Sequence, residues 1–187
     1  VYFKQNLNFE DLSKEELIKK ALDSHSKGHI KKAKRFYQLF LEKNYIDPRM
    51  LLNYGVICSQ EKNYDEAILI YKKTIKLYPQ IPYAYSNMGR ILKERKKLDE
   101  AEKYLRKAIN LKSNYEDAFL NLGIILNEQC KYNEAVLYTK KALQIQPNFI
   151  KAHLSLSNIF YNLGDLKNSE KYAREAIRID AENANAH

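Results

Sequence analysis

Residues 116–149 read EDAFLNLGIILNEQCKYNEAVLYTKKALQIQPNF, and the spacing inside this stretch decides the fold. Phe119, Leu122, Gly123 and Leu126 fall at i, i+3, i+4 and i+7, one stripe of an α-helix. Ala135, Tyr138, Thr139 and Ala142 repeat that stripe on a second helix. Between them, Cys130-Lys131-Tyr132-Asn133 makes a tight link, with Asn133 offered as the N-cap and Glu134 as an acid in the first turn. Pro147 closes the second helix, because a proline cannot continue the hydrogen-bond ladder.

Working outward, the same 34-residue pattern recurs in both directions. Tyr54-Gly55, Met88-Gly89, Leu122-Gly123 and Leu156-Ser157 stand 34 residues apart, and twelve residues beyond each small residue comes another: Ala67, Ala101, Ala135 and Ser169. Extrapolated backwards, the register reaches Ala21 and Ala33 without an insertion. The expected units are 14–47, 48–81, 82–115, 116–149 and 150–183, preceded by a lead segment 1–13. Ala186-His187 repeats Ala152-His153, so a partial sixth unit is expected over 184–187, and the start without Met reads as a cut from a longer chain. Leu7, Phe9 and Leu12 are candidates for a cap on the first unit, with Ser13 as N-cap before Lys14-Glu15-Glu16. A Gly or Ala at the crossing lets two helices approach to roughly 8 Å.

Composition agrees with long helices joined by short links. The chain has 187 residues, 45% hydrophobic and 29% charged, the balance of a folded protein, and only 5 Gly and 4 Pro, too few for the turns of an all-β fold. No apolar run approaches the ~20 residues of a membrane-spanning helix. Cys58 and Cys130 make neither a CxxC nor a Cys/His metal spacing, so no zinc module or disulfide scaffold is expected and a reducing cytoplasm is the simple assumption.

A 34-residue helix-turn-helix unit with these small residues resembles the tetratricopeptide repeat (TPR) family. Its eighth position is Ala21, Gly55, Gly89, Gly123 and Ser157, and its twentieth is Ala33, Ala67, Ala101, Ala135 and Ser169. The twenty-seventh is Phe40, Thr74, Ala108, Ala142 and Ala176, and the thirty-second, usually Pro, is Tyr45, Pro79, Ser113, Pro147 and Ala181. The resemblance implies an all-α, right-handed α-solenoid whose first helices line a concave face. Asn before Leu-Gly and a closing Pro-Asn are similar to the repeats in the arms of O-linked N-acetylglucosamine transferases and related bacterial proteins. In that group an asparagine ladder holds an extended peptide, and Asn53, Asn87 and Asn121 match the ladder position while Lys19 and Ser155 break it.

On the family's pattern, the second, fifth, sixth, ninth and twelfth positions of the first helices point into the groove. The candidate binding residues are therefore Arg49, Leu52, Asn53 and Val56; Tyr83, Asn87 and Arg90; Leu120, Asn121 and Ile124; and Lys151, Leu154 and Asn158. A carboxamide both donates and accepts, so stacked Asn side chains can pair with peptide groups whatever the ligand's sequence. The alternative is that these asparagines bond to neighbouring segments and bind nothing. Leu52, Val56, Leu120, Ile124 and Leu154 put apolar surface where polar residues are commoner, which either marks a partner or is covered by tyrosines such as Tyr83 and Tyr161. Arg49, Arg90, Lys93 and Lys151 would favour an acidic or phosphorylated peptide. A chaperone-type carboxylate clamp is not expected, since Leu52 and Val56, or Ile18 and Leu22, stand where Lys and Asn belong.

The net charge of +9 does not by itself point to nucleic acid, because Lys72-Lys73, Lys76, Lys103, Arg106-Lys107 and Lys140-Lys141 lie late in second helices, where cations complement the helix dipole on a solvated face. The four histidines are scattered, His153 at a packing position, and there is no Gly-rich phosphate loop, His-Glu-x-x-His or acidic metal cluster. No catalytic residue, metal or cofactor is expected. Two readings follow: a protein-interaction scaffold that receives a peptide or partner segment in its groove, or an accessory arm presenting substrates to a transferase domain elsewhere in a longer chain. Self-association through an open repeat end is a third expectation.

Overall fold

The computed structural model describes residues 12–185, with side chains to Ala181. The expected cap residues Leu7 and Phe9, and the Ala186-His187 pair, lie outside the described residues; Leu12 lies inside them and is buried. The chain divides at Pro79/Gln80 into two compact bodies.

The first body holds α1 (Lys14–Ser26), α2 (Ile30–Glu42), α3 (Pro48–Gln60) and α4 (Tyr64–Leu77), each packed on its neighbour in sequence and α1 also on α3. Its entry is specified locally. Ser13 and Glu16 form a capping box, the Ser13 amide donating to Glu16 Oε2 at 2.9 Å and the Glu16 amide to Ser13 Oγ at 3.3 Å. Those hydrogen bonds hold the Glu16 carboxyl below its ordinary range. Asp47 caps α3 just before Pro48, accepting from the Arg49 amide at 2.9 Å.

The second body holds α5 (Pro82–Glu94), α6 (Leu98–Leu111), α7 (Glu116–Glu128), α8 (Tyr132–Ile145), α9 (Ile150–Asn162) and α10 (Leu166–Asn185). Besides sequential packing, α5 touches α7 and α7 touches α9, so the first helix of each pair lies against the first helix of the next. Among the described residues every element is helical.

The small residues sit at the crossings. Ala33, Ala67, Ala101 and Ala135 are fully buried. A Cβ added to Gly89 would stand 2.7 Å from Leu105 Cγ and 3.2 Å from the Ala101 carbonyl; one on Gly123 would stand 2.1 Å from Thr139 Oγ1 and 3.2 Å from the Ala135 carbonyl. In α9, Ser157 replaces glycine and its hydroxyl lies 3.3 Å from that of Ser169.

Four features differ from the sequence reading. The second helices begin two residues earlier than expected: α8 starts at Tyr132 after Lys131, so Asn133 lies in the first turn rather than at the cap, and Asp65 and Asp99 take the same places in α4 and α6, while Glu134 is in the first turn as expected. The reason is the link itself. Gly28, Lys62, Lys96, Cys130 and Gly164 all have left-handed backbones (φ 74, 60, 58, 60 and 76°), and the next amide but none reaches five residues back: Asn63 to Cys58 O at 2.9 Å, Lys97 to Leu92 O at 2.9 Å, Lys131 to Leu126 O at 2.8 Å. These are Schellman stops, which close one helix and start the next within a few residues. A left-handed conformation costs an L-residue roughly 1–2 kcal/mol, part of which glycine returns through its floppier unfolded state. Lys62→Gly and Cys130→Gly are each expected to raise stability by about 0.5–1 kcal/mol in urea melts.

Second, α2 ends at Glu42 through a further left-handed residue, Asn44 (φ 57°), with the Tyr45 amide on Phe40 O at 3.1 Å; the Tyr at the proline position belongs to this different exit. Third, α10 runs 20 residues, through Ala181, where Pro would have stopped it. Arg106 also departs from the solvated role assigned to it. It donates to Glu102 (2.8 Å), Tyr138 Oη (2.7 Å) and Glu134 (3.0 Å), while Lys131 reaches Glu102 at 3.0 Å, tying α6 to α8. Burial disfavours its charge, but these bonds more than offset that and raise its pKa.

Candidate functional site

In the first body the expected groove residues are largely engaged with their own chain. The exposed Arg49 donates to both carboxylate oxygens of its own cap, Asp47, at 3.1 and 2.8 Å. Asn53 hydrogen-bonds the hydroxyl of fully buried Tyr37, which also meets His25 Nδ1 at 2.9 Å. Burial pushes the Tyr37 phenol up to about 12, with the Asn53 bond working the other way. Leu52 and Val56 are half-buried. Behind them, Tyr54 donates to Glu66 and accepts from Gln38 at 3.3 Å. Cys58 is buried and its thiol is pushed up to about 11, mainly by burial, which suits a packing residue.

The second body is different. On α5, Tyr83 is 44% exposed; its hydroxyl accepts from Lys112 Nζ at 3.0 Å, and its ring meets Tyr115 edge-on at 5.2 Å between centroids. Lys112 sits 5.0 and 4.9 Å above the Tyr83 and Tyr115 rings, and its bond to Tyr83 raises its pKa. Asn87 on α5 and Asn121 on α7 are half-buried and have no hydrogen-bond partner among the described residues. Arg90, one turn beyond Asn87, is exposed and pairs with no carboxylate among them.

Leu120 is corrected by the structure. It is 4% exposed and packs with Phe119, Ala142 and Ala152, so it lines no groove; Ile124 is half-buried against that cluster. The cause is the next pair of helices, whose Ala152 leaves room for α9 to close over α7. On α9, Leu154 and Tyr161 remain 52% and 65% exposed, and Lys151 is exposed one turn before Leu154.

The far ends of these three helices are stitched together by pairings that engage the expected groove residues Lys93 and Asn158. Asn127 donates to Asn158 Oδ1 at 3.0 Å and accepts from Asn162 at 3.0 Å. Lys93 pairs with Glu94 at 3.0 Å and lies 4.0 Å from Glu128, which also takes Lys96 at 3.1 Å. Asn158, a candidate ligand contact, is thus spent on Asn127. The available signal was spacing: Asn127 and Asn162, and Lys96 and Glu128, stand 35 and 32 residues apart, close to one repeat.

Among the described residues no three His, Cys, Asp or Glu side chains group to hold a metal ion. His153 is buried, its Nε2 bonded to the Pro147 carbonyl at 2.8 Å and its ring 6.0 Å from that of Tyr172. Among the described residues no helix is long and apolar enough to cross a membrane.

Paired antiparallel helices with small-residue crossings, and polar side chains ranked on successive first helices, define an all-α repeat scaffold for protein interaction. Profiles of the tetratricopeptide repeat match residues 80–148, and 48–81 with 150–183. The chain belongs to the tetratricopeptide repeat family. No curated protein matches its sequence. Among solved structures it is similar to a MamA protein (23% identity, 92% of this chain and 94% of that one, TM-score 0.76) and to MamA from Desulfovibrio magneticus RS-1 (18%, 90% and 96%, TM-score 0.79). It is also similar to YrrB, described as a TPR protein with an unusual peptide-binding site (20%, 92% and 88%, TM-score 0.71). At these identities the likeness is one of fold.

Proposed function

We propose that the chain is a peptide-binding scaffold, and that its working face is the row of first helices in the second body. The observation that carries this is the pair Asn87 and Asn121. They occupy equivalent places 34 residues apart on touching helices, with no partner among the described residues. A carboxamide without a bond inside the chain keeps its donors and its acceptor for a ligand, and an extended backbone offers it both an acceptor and a donor. First helices pack about 8–10 Å apart and an extended strand advances ~3.3 Å per residue, so successive asparagines meet every third ligand residue. The helix starts at Lys14, Pro48, Pro82, Glu116 and Ile150 support units of 34 residues in the phase read from the sequence. The peptide-binding site in YrrB's description supports the same use of the fold. The exposed free thiol of Cys130 fits a reducing compartment such as the cytoplasm.

Binding should appear in the side-chain amide signals of a ¹⁵N-labelled sample. Titrating a neutral Gly/Ser/Thr peptide is expected to shift the Asn87 and Asn121 NH₂ resonances and leave Asn53, held on Tyr37, in place. Shifts confined to other residues, or none at millimolar peptide, would remove the proposal.

A further inference from the structure

We infer that the ligand strand carries an anionic side chain and a bulky apolar side chain six residues apart. This rests on the backbone-binding reading above and adds the identity of the side chains. At one end stands Arg90 on α5, an exposed guanidinium without a carboxylate among the described residues. Its counterparts at the same level of the next two first helices are Ile124 and Asn158, neither acidic. Lys151, also exposed, has Asp117 as its counterpart on α7, so its level of the face is closer to neutral. Lys93, Lys96 and Lys97, cations at the same end of α5, are occupied by Glu94, Glu128 and Glu100. A guanidinium with its donors unspent is suited to a carboxylate or a phosphate.

At the other end, two first helices away, α9 presents Leu154 and Tyr161, 52% and 65% exposed, while the intervening Leu120 is buried and Ile124 half-buried. Apolar surface is therefore offered to a ligand on α9 and hardly at all on α7. Two steps of about 10 Å between helices correspond to six residues of a strand rising ~3.3 Å each, or of a polyproline II segment rising ~3.1 Å. Six also preserves facing. Side chains repeat every two residues in a strand and every three in polyproline II, so residues k and k+6 point the same way in both. Spacings of five or seven turn one of the two side chains away.

The test uses 11-residue Gly/Ser peptides with Glu at position 3 and Leu at position 9, against versions with Leu at position 8 or 10, titrated by fluorescence anisotropy into the 187-residue chain. Spacing six is expected to bind at least tenfold tighter than five or seven. Replacing Glu by phosphoserine separates the two anion sources: whichever binds more tightly, both should exceed the Gln peptide. Arg90→Glu should abolish the preference for the anionic peptides over Gln, and Leu154→Ser should abolish the preference for Leu over Ser at position 9. Equal affinity at all spacings would overturn this inference and leave the groove reading standing; no binding by any peptide, the Gln form included, would remove both. Arg90 and Leu154 are surface residues, and circular dichroism of both variants checks that they fold.

Discussion

Gly123→Leu is expected to cost about 3 kcal/mol or more, near the upper end of the overpacking range, and to unfold the second body well below the parent's midpoint. The β-carbon alone decides most of this. It would stand 2.1 Å from Thr139 Oγ1 and 3.2 Å from the Ala135 carbonyl, and a backbone oxygen within α8 cannot swing aside. Leucine's better helix propensity returns only about 1 kcal/mol. Gly123→Ala keeps the β-carbon clash without the branches, and a net loss of about 1–2 kcal/mol is expected. Thr139 suggests its own rescue. Its hydroxyl is buried without a hydrogen-bond partner, so Thr139→Ala removes the obstructing atom and strands nothing. Gly123→Ala with Thr139→Ala should therefore return to within about 1 kcal/mol of the parent, a non-additivity that independent sites would not show. The fifth helix pair already has this arrangement, with Ser157 where glycine stands and Ala173 in the place of Thr139. Urea melts in which Gly123→Leu matched the parent would mean that α7 and α8 do not approach this closely.

The crossings were legible in the sequence because sterics leave few choices there: a small residue recurring every 34 positions has little other reason to exist. The links were not. At Lys62, Lys96 and Cys130 the left-handed turn is made by residues that ordinarily avoid it, so nothing in their identity announces φ near 60°, and the helix starts were misplaced by two residues. The binding face was legible as a set of positions but not as a set of free groups. Asn53 and Asn87 look equivalent along the chain, yet Tyr37 on the neighbouring second helix takes up Asn53, and Arg49 is taken up by Asp47 two residues before it. Leu120 and Leu154 also occupy equivalent positions, and only the closure of α9 over α7 buries one of them. Side-chain pairing between helices depends on which of several neighbours arrives, and a single-chain periodicity carries no record of that.

The inequivalence of the three asparagines yields the second large effect. Replacing Asn87 and Asn121 together by alanine is expected to weaken an extended peptide by about 2–6 kcal/mol, from two rungs each making two hydrogen bonds of roughly 0.5–1.5 kcal/mol. Folding stability should barely move, because neither carboxamide bonds another described residue and the change leaves no partner stranded. Asn53→Ala should do the reverse. It withdraws a hydrogen bond from the buried Tyr37 hydroxyl, which keeps His25, so a loss of about 1 kcal/mol in stability is expected with peptide affinity unchanged. Calorimetric titration of one neutral peptide against the three variants, alongside their urea midpoints, separates the two kinds of asparagine. Were the ladder a structural device throughout, all three substitutions would shift the midpoint and none would shift the affinity alone. Were it a binding device throughout, Asn53→Ala would weaken the peptide as much as either of the others. The double substitution losing affinity at constant midpoint, and Asn53→Ala losing stability at constant affinity, is the combination that the hydrogen bonds of Asn53 and the unspent groups of Asn87 and Asn121 require.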